Sequence, residues 1–93
     1  AMKFGEALSY VEDGKCVSRN IWKAGEFIEK ATISHTMMVS GKKVTTSEVV
    51  ILHNFREAFV VSGESHREIT CEIWEPKFSD LFADDWFVAI VCD

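Results

Sequence analysis

The run WEPKFSDLFADDW, from Trp74 to Trp86, concentrates residue types that recognise ligands: two tryptophans, two phenylalanines, a lysine and three aspartates. Flat aromatic faces stack nucleobases at about 1–3 kcal/mol per base, and an arginine beside them can hold phosphate in a bidentate fork. Trp22 is a further stacking candidate, set among the cations Lys15, Arg19 and Lys23. Asp80, Asp84 and Asp85 would serve as general acids or bases only if burial raised a pKa; such clusters more often cap and solvate a turn. His35, His53 and His66 lie 18 and 13 residues apart with no i, i+4 pair and no HExxH pattern, so no metal site is expected. Neither Cys16 nor any serine sits in a nucleophile elbow or triad setting. The reading is a binding protein with no catalytic residue and no cofactor, not an enzyme.

Composition narrows the class of ligand. A chain of 93 residues is one domain, and its core is thin enough for oligomerisation to be a natural supplement. With 47% hydrophobic and 27% charged residues it has the balance of a folded domain. The formal charge of −5 excludes a general nucleic-acid-polymer binder, which needs a basic face to displace counterions. A small anion needs only two or three local cations. The N-terminus lacks the basic-then-apolar plan of a signal peptide and no run approaches the roughly 20 apolar residues of a membrane helix, so a cytoplasmic location without membrane contact is expected. Cys16, Cys71 and Cys92 show no paired spacing and read as reduced core thiols. Ala1, ahead of Met2, reads as a residue appended for expression.

The elements that must position these residues follow from periodicity. Phe4, Ala7, Leu8 and Val11 fall at i, i+3, i+4 and i+7, one stripe of a helix ending at Gly14, with Lys3 a poor N-cap. CVSR is a short strand, and EFIEKATIS alternates with Phe27, Ala31 and Ile33 on one side, Ile28 breaking the pattern. TMMVSGKKVTT predicts a hairpin turning at Ser40–Gly41. SEVVILHNFR suits a strand by its β-branched run and a helix by the Ile51, Phe55, Ala58 spacing, and periodicity leaves both open. EAFVV and REITCEIW flank the turn SGES as a second hairpin, in which Ile69, Cys71 and Ile73 oppose the parity of Trp74. If those three face the core, Trp74 faces a ligand or a partner; alternatively Trp74 and Trp86 fill a dimer core. Pro76 ends the ladder, FSDLFADD makes one helical turn with Ser79 as its cap, and WFVAIV is a last strand, apolar on both faces and expected to be central. The expected fold is α+β over residues 1–93: an antiparallel sheet with an N-terminal helix packed on it and a short C-terminal helical turn before the last strand.

Two blocks carry a resemblance. FGEAL…V..GK.V.R..W at the N-terminus and W.P…DLFADDW at the C-terminus resemble the signature blocks of the Thoeris anti-defence sponges of the second type, a family of small phage proteins. The matching positions are Phe4 to Leu8, then Gly14, Lys15, Val17, Arg19 and Trp22. In the closing block they are Trp74, Pro76, Asp80, Leu81 and Ala83 to Trp86. The resemblance implies a non-enzymatic homo-oligomer, typically a tetramer, that holds the cyclic ADP-ribose isomers made by host TIR proteins in the infected bacterium. Some members also take cyclic dinucleotides at separate pockets. It implies Trp22, Trp74 and Asp80 as first ligand candidates, with Arg19 and Phe4 behind them, and Leu81, Trp86 and Val88 as structural.

Where that family commonly has SQT before the aspartate, this chain has Lys77, Phe78 and Ser79. A cation and an aromatic replace two neutral hydrogen-bonding groups. Lys77 could meet a phosphate and Phe78 could stack a second base, which suits a cyclic oligonucleotide as well as a cyclic ADP-ribose. Two other classes compete: a protein-binding inhibitor of a host defence factor using an exposed Trp-rich face, and a metal-dependent phosphodiesterase using Asp80, Asp84 or Asp85. Residues 35–57 carry no resemblance.

Overall fold

The computed structural model describes residues 1–90. Its order is α1 (Phe4–Glu12), β1 (Cys16–Arg19), β2 (Glu26–Val39), β3 (Lys42–Val61), β4 (Glu64–Ile73), α2 (Phe78–Leu81) and β5 (Trp86–Ala89). The strands form one antiparallel sheet, as expected, and its order is β4-β3-β2-β1-β5. Val91 and Cys92, assigned above to the last strand and to the thiols, lie outside the described residues.

The predicted helical stripe is α1, with Ala7 and Val11 fully buried. Lys3 at its N-cap gives no side-chain hydrogen bond. At the other end Gly14 adopts φ +87° while its N–H donates to Val11 O, and Lys15 N–H donates to Tyr10 O. Glycine closes the helix there because a left-handed residue needs no Cβ. Lys30 Nζ reaches from β2 to Glu12 O, satisfying a terminal carbonyl and pinning helix to sheet.

The ambiguous segment resolves as strand. Residues 47–56 are the middle of a β3 that pairs with β2 over residues 42–55 and with β4 over residues 52–61. The β-branched run prevails because β2 and β4 flank it on both sides with ladders to fill. Both ends of β3 turn through two-residue loops, Ser40–Gly41 and Ser62–Gly63, each residue with positive φ. This is the hairpin geometry whose twist matches the strands.

Cross-strand partners share a face, so the register sorts the side chains. One face carries Val17, Ile28, Ile51, His53, Trp74 and Trp86, and α1 lies on it. The other carries Phe27, Ala31, Ile33, Leu52, Ile69, Cys71, Ile73 and Phe87, and among the described residues no helix covers it. Ile28, the residue that spoiled the alternation of β2, is the one that packs under the helix. The parity of β4 holds, and of the two alternatives it left open the core lies on the side of Trp74. Trp74 is buried at 9% exposure in the aromatic core, while Ile69 and Ile73 are more than half exposed and Cys71 is an exposed thiol. The helix decides which face is core, and it comes from the opposite end of the chain.

Three smaller expectations are corrected. β5 is an edge strand, not a central one: β1 is its strand partner, and on its other side Met2 exchanges backbone hydrogen bonds with Trp86. Its residues are apolar on both faces because one face meets α1 and the other is the open face. The cap of α2 is at Lys77, not Ser79, since the Asp80 carboxylate accepts the Lys77 N–H at 2.9 Å. Leu81 and Val88 were expected to be structural, yet each is more than a third exposed. Cys16, half-buried, is a thiol as expected, its pKa raised by burial and by the Glu29 carboxylate it donates to at 3.6 Å.

Gly25 holds the loop into β2 against β3. Its φ is +89°, and a Cβ there would lie 2.5 Å from the backbone oxygen of Arg56. Gly25→Ala should therefore cost about 1–3 kcal/mol through backbone strain, with displacement of the Arg56 N–H···Gly25 O bond added. Thermal unfolding would measure it.

Candidate functional site

The arrangement begins with Arg19 at the end of β1. Its Nη1 donates to Asp80 Oδ1 at 2.9 Å, and Nε and Nη2 fork onto Asp85 Oδ1 and Oδ2 at 2.9 and 3.4 Å. The guanidinium is 8% exposed and its pKa is raised, chiefly by the hydrogen bond to Asp85, with Asp80 adding to it against the opposing effect of burial. Asp80 is tied further: Oδ2 accepts from Lys77 N–H, and its carbonyl accepts from Trp86 Nε1–H at 2.9 Å. These bonds join the two sequence blocks, 61 and 66 residues apart, into one rigid floor. The fork expected for phosphate holds carboxylates of its own chain.

Above the floor the aromatics interlock. Trp86, fully buried, meets Phe4 at 5.4 Å, Trp22 edge-on at 5.2 Å and Trp74 edge-on at 5.9 Å between centroids. Edge-to-face contacts of this kind add stability beyond burial. Trp22 also lies 4.9 Å from the ring of His53. His53 Nε2 is 2.7 Å from Glu26 Oε2; a carboxylate has no proton to give, so the imidazole donates there and is locked in place.

Trp22, Trp74, Arg19, Asp80 and Lys77 all line one cleft of about 780 Å³, at the upper end of what a small-molecule site needs. Five of the seven expected ligand residues are thus brought together. Phe4 lies instead within the aromatic core, 5.6 Å from Trp74. Phe78 points away on α2, 79% exposed and stacked on Phe82 at 6.5 Å. The cleft also contains Glu26, His53, Glu72 and Glu75, which sequence reasoning did not select. Parity could have found two of them: His53 and Glu72 are direct cross-strand partners on the face that carries Trp74.

The electrostatics are specific. Glu26, Glu72, Glu75 and Asp80 face only Arg19 and Lys77 in this cleft, and Arg19 is already neutralised. Such walls accept hydrogen bonds from ribose hydroxyls and exocyclic amines and repel phosphate. Phosphate-compatible charge lies elsewhere. A second cavity of about 610 Å³ opens towards the uncovered face, where Lys23, Arg56 and Arg67 accompany Phe27 and Phe87, with Glu26 and Glu57 also in its wall. Arg56 lies over the Phe27 ring there at 5.6 Å, a cation–π contact.

Among the described residues no three His, Cys, Asp or Glu side chains form a metal-holding group, and no helix is long and apolar enough to cross a membrane. No curated protein matches the chain in sequence. A family model, described as the Thoeris anti-defense 2-like domain, matches residues 2–89. That span takes in both blocks, the Arg19–Asp80–Asp85 floor that joins them and the cleft above it, and the chain belongs to the Thoeris anti-defense 2-like family.

Proposed function

We propose that the chain is a phage-encoded sponge that binds a nucleotide-derived immune signal, a cyclic ADP-ribose isomer or a cyclic oligonucleotide, and withholds it from the host effector without cleaving it. The observation that carries this reading is the cleft under Trp22 and Trp74, built by the same residues that join the two blocks of an anti-defence family. Its chemistry is that of base and ribose recognition. Trp22 supplies a half-buried indole held between His53 and Trp86, and the carboxylates of Glu26, Glu72 and Glu75 accept from sugar and base. Lys77 at the rim provides counter-charge for a phosphate.

Asp80 and Asp85 hold Arg19, an arrangement suited to scaffolding and unlike the water-activating carboxylates of a hydrolase. The protein acts in the cytoplasm of the infected cell as a homotetramer. Exposure supports an assembly: Met37, Met38, Val60 and Ile69 are each at least half exposed.

Trp22→Ala tests the site. Loss of one stacking face costs about 1–3 kcal/mol, roughly a 5- to 150-fold weaker Kd. Calorimetric titration with cyclic ADP-ribose isomers and cyclic dinucleotides would measure it, and an unchanged Kd for the ligand bound by the wild type would remove Trp22 from the site. A second reading, inhibition of a host protein by direct contact, is favoured by the exposed Phe78–Phe82 stack, since paired aromatics on a short helix suit an interface anchor. That reading expects no nucleotide affinity and loss of anti-defence activity on Phe78→Ala.

A further inference from the structure

Two hydrogen-bond acceptors in the cleft receive no donor from their own chain. His53 gives its Nε2 hydrogen to Glu26 Oε2 at 2.7 Å, so in the neutral ring the other nitrogen, Nδ1, carries a lone pair in the plane of the imidazole. Glu72 Oε1 stands 3.9 Å from that Nδ1, beyond hydrogen-bond length. The Glu72 side chain is 79% exposed, and among the described residues nothing donates to it. Both groups wall the main cleft and an adjoining cavity of about 340 Å³, so space is open on either side of them. The other carboxylates of the cleft are engaged or less firmly placed. Asp80 holds Arg19, and Glu26 accepts at both oxygens, Oε2 from His53 and Oε1 from Lys23 N–H at 3.3 Å. Glu75 lies past the end of β4, whereas Glu72 sits within the strand as the cross-strand partner of His53. Acceptors rooted on paired strands are held more precisely than those on loops.

We propose that His53 and Glu72 read the exocyclic amine of a purine, and that this pair makes the cleft select adenine or guanine against bases that lack an amine. Such selection presupposes that the cleft is a nucleotide site and adds the group that the site recognises. An amine carries two hydrogens on one nitrogen, which can stand about 2.9 Å from both acceptors at once. Its hydrogens lie in the plane of the base, as the Nδ1 lone pair lies in the plane of its ring. The imidazole is 4.9 Å from the Trp22 indole at 32°, so a base set edge to edge with His53 continues one aromatic layer against Trp22. A ribose hydroxyl also donates, but its hydrogen rotates and is not confined to that layer.

Electrostatics sharpen the choice. A carbonyl oxygen in place of the amine sets a third acceptor against Nδ1 and a carboxylate, with no proton to share among them. A site that hydrogen-bonds a substrate N–H rejects the analogue lacking it far more strongly than an apolar pocket rejects a change of size. Hypoxanthine is that analogue for both purines: it has a carbonyl where adenine carries its amine and a hydrogen where guanine carries its own.

The test is calorimetric titration of the wild type and of Glu72→Gln at about pH 8, where free imidazole is uncharged. The probes are matched pairs: cyclic di-AMP and cyclic di-GMP against cyclic di-IMP, and each cyclic ADP-ribose isomer against its inosine counterpart. The wild type is expected to bind the amine-bearing member of at least one pair roughly 10- to 100-fold more tightly than its partner. In Glu72→Gln, an exposed change that should leave the circular dichroism unaltered, that preference is expected to narrow to within about 3-fold, because an amide donates to a carbonyl as readily as it accepts from an amine. Wild-type affinities within about 3-fold across a pair that binds would overturn the amine selection and leave the nucleotide site standing. A preference that survives Glu72→Gln undiminished would also overturn it, since other groups would then read the base. Binding of neither member of any pair would remove the nucleotide site itself, and the amine selection with it.

Discussion

Arg19→Met is expected to destabilise the chain by about 3–5 kcal/mol, because it strands Asp80 as an uncompensated charge at 7% exposure. Native domains of this size hold about 5–15 kcal/mol in total, so the variant loses a large part of its stability. Adding Asp80→Asn should restore part of the loss, since an amide oxygen can still accept from Lys77 N–H without carrying charge. Urea titrations of wild type, Arg19→Met and the double variant would measure both effects, and a double variant no more stable than Arg19→Met would show that the pair is not electrostatically coupled as the geometry implies.

Trp86→Ala has an effect of similar size by a different route. The indole is fully buried, is the hub that Phe4, Trp22 and Trp74 all touch, and donates to Asp80 O. Truncating a buried tryptophan costs about 3–5 kcal/mol. Trp86→Phe keeps much of the packing and forfeits the hydrogen bond, for about 1–3 kcal/mol. The Phe variant separates stability from function. It should stay folded, and any loss of ligand affinity in it reports displacement of Trp22 and Trp74, which rest against the Trp86 ring.

How far the sequence foretold this depends on the range of each interaction. The helix stripe, the two Ser-Gly turns and the α+β plan were legible because they follow from local periodicity and backbone preference. Trp86 was correctly placed in the core, and both tryptophans chosen as ligand candidates line the cleft. The role of Arg19 was not legible: a basic residue near a tryptophan looks the same whether its fork holds a phosphate or two aspartates more than sixty residues away. The burial of Trp74 stayed one of two alternatives for a related reason, since alternation divides a strand into two faces without saying which one a distant helix covers. β5 looked central because both its faces are apolar, a pattern an edge strand shares when one face meets a helix and the other remains open. Glu26, His53 and Glu72 were passed over because each reads singly as a surface residue; only the register of three strands unites them.

The central claim is sequestration, and depletion followed by release tests it most directly. The protein would be mixed with a panel of cyclic ADP-ribose isomers and cyclic di- and trinucleotides, the free compounds quantified after filtration, and the retained fraction recovered by heating. The account predicts that at least one compound is removed from solution and returns chemically intact. Return as a cleaved product, or failure to remove any member of the panel, would contradict it.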